Sequence, residues 1–71
     1  MTLSRVYSFN VFAPDHRIWM HFVRSTFHQG WWKAEASDQT GRMLHSRLIS
    51  DEHMHSIWGR FSHLAEVTLF S

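Results

Sequence analysis

Seven histidines, at positions 16, 21, 28, 45, 53, 55 and 63, are the residues in this 71-residue chain with the widest chemical repertoire. A neutral imidazole is a common metal ligand, and a helix presents two of them to one ion when they stand four residues apart. No such pair exists. His16 and His21 are five apart, His21 and His28 seven, and His55 and His63 eight. His53 and His55 flank Met54, and in a helix their rings point about 160° apart. The chain has no cysteine, so thiolate ligation is excluded, and the histidines read as solvated surface groups with no metal or cofactor expected.

Acid–base chemistry has one candidate. Glu35 opposite His45, with Arg47 diagonal to it, has the composition of a general base and its orienting partners. The same trio is also what ordinary cross-strand charge pairing produces. Phosphate-binding glycine loops, a Gly-x-Ser-x-Gly elbow and a thiol nucleophile are all missing, and a sheet this small offers little room to bury a substrate. The expectation is a non-enzymatic chain with no catalytic residues and no small-molecule substrate.

Those three residues would be positioned by a hairpin over Trp31–Ile49, reversing through Asp38-Gln39-Thr40-Gly41. Asp and Gly suit the first and last positions of a type I turn. Pairing Asp38 with Arg42 puts Trp32, Ala34 and Ala36 on one face with Leu44, Ser46 and Leu48. The other face then carries Trp31, Lys33, Glu35, His45, Arg47 and Ile49.

Upstream, residues 4–13 are rich in aromatic and β-branched types and predict a strand, with Tyr7, Phe9 and Val11 on its more apolar side. Pro14 and Asp15 are good helix-start residues. Over 15–28, Ile18, Trp19, Phe22, Val23, Thr26 and Phe27 form an apolar arc, with Arg17, His21, Arg24 and His28 as an opposing stripe. This predicts a helix ended by Gly30. Ser50, Asp51 and Glu52 predict a second helix start, with Met54, Ile57, Trp58, Phe61, Leu64 and Ala65 on its inner arc. Residues 66–71 read as a short strand facing inward through Val67 and Leu69.

The order strand, helix, strand, strand, helix, strand is the ferredoxin-like βαββαβ arrangement. The expected fold is thus a single α+β domain over 1–71, with a four-stranded antiparallel sheet and two helices on one face. The opposite face would stay open and carry Val6, Asn10, Phe12, Trp31, Lys33, Glu35, His45, Arg47 and Ile49.

Composition narrows the function. At 44% hydrophobic, with six Phe and four Trp, the chain is too apolar for disorder. No apolar run reaches the ~20 residues that span a bilayer, and Met1-Thr2-Leu3-Ser4-Arg5 lacks the order of a leader. A cytoplasmic location is expected. Arg outnumbers Lys six to one, and Arg, Trp, Phe and Met are enriched at protein interfaces. The function expected is a protein-binding module, an inhibitor or adaptor of the kind mobile genetic elements use, such as a phage protein that blocks a host defence complex. Its partner is another protein or a second copy in a homodimer, held through Arg17, His21, Arg24, His28, Trp31, Lys33, His45 and Arg47. The alternative is nucleic-acid binding through the open face or the Arg/His stripe. A net charge of only +1 argues against it.

Overall fold

Ile18–Arg24 is extended, and this single fact reorganises the expected architecture. The computed structural model describes residues 2–71; Met1, first of the five residues read against a leader pattern, lies outside them. Five strands, β1 (Val6–Ala13), β2 (Ile18–Arg24), β3 (Trp31–Asp38), β4 (Met43–Ser50) and β5 (Glu66–Leu69), form one antiparallel sheet in the order β4-β3-β2-β1-β5. Among the described residues there is one α-helix, α1 (Asp51–Phe61), extended by a 3-10 turn over Ser62–Leu64. The ferredoxin-like arrangement of four strands and two helices is therefore incorrect: the first four strands form a meander, and α1 carries the chain across one face to place β5 beside β1.

The residues read as a helix start make a hairpin turn instead. His16 N donates to the Ala13 carbonyl at 3.2 Å and Arg17 N to that of Pro14 at 3.3 Å, with Arg17 left-handed at φ 53°. Pro14 thus sits second in a tight turn, where its fixed φ serves as well as at a helix N-terminus. Beyond the turn, β2 pairs with β1 from Ala13↔Ile18 to Ser8↔Val23 and with β3 from Ile18↔Asp38 to Arg24↔Trp32. Both backbone edges of a central strand are satisfied, and its Ile, Trp, Phe and Val fit a pleated surface better than a helix.

The hairpin turn holds as expected, with Asp38 N donating to the Arg42 carbonyl at 3.0 Å. One step into the ladder the register slips. Ser37 pairs with Met43 but Ala36 with His45, leaving Leu44 as the extra residue of a bulge. Because side chains alternate, one extra residue inverts the rest of β4. Ile49 joins the core at 5% exposure, while Leu44 and Leu48 are exposed at 50% and 48%. A second irregularity, between Val6 and Ser8, buries Val6 and turns out Tyr7, the reverse of the expected assignment.

The second helix begins where expected. Ser50 Oγ accepts from His53 N at 3.2 Å, with Asp51 and Glu52 in the first turn. Met54 and Trp58 are buried against the sheet, but Leu64 is exposed, because the α-helix stops at Phe61. Phe9 lies at the middle of the core, 4.8 Å from Phe22 and 4.9 Å from Trp58 between ring centres.

Arg24 closes one end of that core. Its Nε donates to the Val6 carbonyl and its Nη2 to that of Leu3, both at 2.6 Å. Its guanidinium lies 4.4 Å from the centre of the Trp32 ring. Trp32, fully buried, donates from Nε1 to Asp51 Oδ1 at 2.9 Å. Replacing Arg24 with Gln strands two carbonyls and should lower stability by about 2 kcal/mol in urea unfolding; a loss within ~0.5 kcal/mol would show that the contacts carry no net energy.

Asp38 organises the β3–β4 turn. Hydrogen bonds, foremost from the Thr40 hydroxyl and then from turn amides including those of Arg42 and Thr40, hold its carboxyl below the ordinary 3.8. A depressed carboxylate stabilises the turn in full above the unfolded value and loses that contribution as pH falls through the folded one. The Thr40 and Arg42 amide resonances should therefore titrate together with a midpoint below 3.8, and Asp38→Asn should abolish the transition.

Candidate functional site

Residues opposite one another across five strands share a face, so the pairings define the side away from α1 row by row. The middle row runs Glu66, Asn10, His21, Glu35, Ser46 from β5 to β4. His21 Nδ1 is hydrogen-bonded to Asn10 Oδ1. An amide oxygen only accepts, so Nδ1 of His21 is the donor of this pair. Lys33 Nζ stands 3.8 Å from Glu35 Oε1 on the same face.

Apolar groups flank this row on both sides. Toward the β1–β2 turn, Phe12 and Trp19 pair with ring centres 5.0 Å apart. Toward the other end, Val23, Leu48 and Tyr7 border a depression of about 490 Å³ that is also lined by Phe27 and His28. Phe27 is 91% exposed. Ser25 Oγ accepts from the amides of Phe27 and His28 at 3.3 and 3.0 Å, which fixes the loop that presents them.

The expected contact residues divide between places. His21, Trp31 and Lys33 lie on the helix-free face, with Trp31 paired to Ser50 and exposed. Arg17 is in the β1–β2 turn and His28 in the β2–β3 loop. Arg24 is turned into the clasp with Trp32, and His45 and Arg47 lie on the α1 side, opposite Ala36 and Ala34. The proposed Arg/His stripe therefore does not exist, because the helix that would align it is a strand. The Glu35–His45–Arg47 trio is dissolved too: Glu35 pairs with Ser46, and the bulge puts His45 and Arg47 behind the sheet.

Phe12, Asn10 and Glu35 hold the open-face positions expected of them. Trp19, Val23, Leu48 and Tyr7 are additional. The signal for the first two was visible: apolar residues at both parities in 18–23 mark a strand with something apolar on each side. Leu48 and Tyr7 depend on bulges that leave no such trace. Among the described residues no group of three or more His, Asp or Glu is arranged to hold a metal, and no helix is long and apolar enough to cross a membrane.

No protein-family model matches this chain, nor does any curated protein or solved structure. Function must be read from its own residues. The Asn10–His21 bond makes a direct prediction: imidazole ¹⁵N shifts should report the Nδ1–H tautomer for neutral His21, and Asn10→Ala should move it toward Nε2–H, whereas unchanged shifts would mean that Asn10 does not set the tautomer.

Proposed function

We propose that this chain is a non-catalytic protein-binding module whose docking surface is the helix-free sheet face. The observation that carries the reading is the run of Phe12, Trp19, Val23, Leu48 and Tyr7 on that side, bracketing the Asn10–His21–Glu35 row. An apolar sheet face rimmed by polar groups is the composition of a recognition surface. The depression by Val23 and Leu48 suits one anchoring side chain, and Trp19 and Trp31 are residue types favoured as anchors. Such a module acts by occupying a partner's surface, as an inhibitor or an adaptor does.

Electrostatics favour a protein over nucleic acid. Lys33 is paired with Glu35, and Glu66 ends the same row, so the face carries anions beside its cation. A surface of mixed sign is also compatible with a second copy of itself, which an isologous contact requires. Self-association is thus the readout available without a hetero-partner.

Light scattering should give a mass rising from one chain of 8.5 kDa toward two as concentration increases, and Trp19→Lys with Val23→Lys should hold the protein at one chain with unchanged circular dichroism. A one-chain mass at millimolar concentration removes the reading. Tight binding of labelled RNA with a steep salt dependence, mapped to this face, would replace it with nucleic-acid recognition.

A further inference from the structure

A second concavity lies on the other side of the sheet, beneath the C-terminal half of α1. Its volume is about 320 Å³, at the lower end of the ~300–1,000 Å³ typical of small-molecule pockets. It exists because β3 places two short side chains, Ala34 and Ala36, under the helix. Their neighbours on β2 are the much longer Phe22 and Met20, so the helix rests on tall flanks and leaves a hollow over the alanines. Ile49, Ile57 and Phe61 wall it. Glu35, between the alanines, also lines the hollow, and its carboxylate stands 3.8 Å from Lys33 Nζ.

The rim is cationic. Arg47 and His45, carried to this side by the bulge at Leu44, line the opening opposite Ala34 and Ala36. Among the described residues, neither takes part in an ion pair or a side-chain hydrogen bond. Arg24 makes the contrast, with both its hydrogen bonds and its ring contact spent inside the protein. An apolar hollow with an uncommitted guanidinium at its mouth is complementary to a short apolar chain ending in a carboxylate, which Arg can hold in a bidentate pair.

We propose that this cavity binds a free medium-chain fatty acid, its alkyl chain over Ala34 and Ala36 and its carboxylate on Arg47, with His45 as a further donor. The site is separate from the docking face and stands or falls independently of it.

Titration of the ¹⁵N-labelled chain with sodium octanoate, hexanoate and the neutral octanol tests it. Octanoate should bind saturably and shift the Ala34, Ala36 and Ile57 amides. It should bind roughly 15-fold tighter than hexanoate, as two further buried methylenes require. Arg47→Gln, an exposed edge-strand change, should weaken octanoate about tenfold or more and leave octanol unaffected. Ala36→Leu should block both ligands by filling the hollow. Shifts confined to the Trp19–Val23 face, equal affinity for hexanoate and octanoate, octanol binding the wild type as tightly as octanoate, or an Arg47→Gln variant with unchanged affinity would each overturn the assignment.

Discussion

The guanidinium of Arg24 is where four separate parts of the chain meet. It takes the carbonyls of Leu3 and Val6 from the N-terminal segment, lies over the ring of Trp32 from β3, and stands 3.8 Å from Asp51 at the start of α1. Phe70, beyond β5, places its ring centre 5.4 Å from the same guanidinium. A charge half-withdrawn from water is costly unless its donors are occupied, and here the backbone of a neighbouring segment occupies them. The helix start depends on the same arrangement. Asp51 accepts from Trp32 Nε1 and its amide donates to the Gly30 carbonyl at 2.8 Å. That fixes the angle at which α1 leaves β4, and with it which half of the sheet is covered tightly and which is left with a hollow.

From this follows the asymmetry of the two faces. Under α1 the core is aromatic and close-packed near Phe9, then opens over the alanines of β3. On the reverse face, among the described residues, no element covers the apolar groups, and the one buried polar side chain, Ser8, lies beside β5. A chain of this length buries a modest fraction of its surface, and the second apolar face on the same five strands stays exposed once one copy has folded.

How much of this was legible beforehand differs by element. The β3–β4 turn and the cap of α1 by Ser50 are set by local chemistry and stand where residue types alone put them, whereas the final strand, expected over 66–71 with Val67 and Leu69 inward, ends at Leu69 and leaves that residue 44% exposed. β2 is the opposite case. Ile18, Trp19, Phe22 and Val23 satisfy helical spacing because they are apolar at both parities, and a central strand with two apolar faces has the same pattern. Pro14 and Asp15 could not arbitrate, since a helix start and a tight turn ask for the same types. The site suffered from a different cause. Trp31, Lys33 and Glu35 were placed correctly because alternation within one strand is robust. His45, Arg47 and Ile49 were placed on the wrong side because a bulge is a tertiary outcome with no residue type reserved for it.

That bulge has a consequence for how the protein can change. Deleting Leu44 would restore a continuous ladder and leave the pairs beyond it as they are, His45 with Ala36, Arg47 with Ala34 and Ile49 with Trp32, so the guanidinium would stay at the cavity mouth. Absorbing the bulge without losing a residue, so that Leu44 met Ala36, would instead exchange the two sides: Arg47 would come to lie opposite Lys33, and Leu48 would fall beneath the helix in place of Ile49.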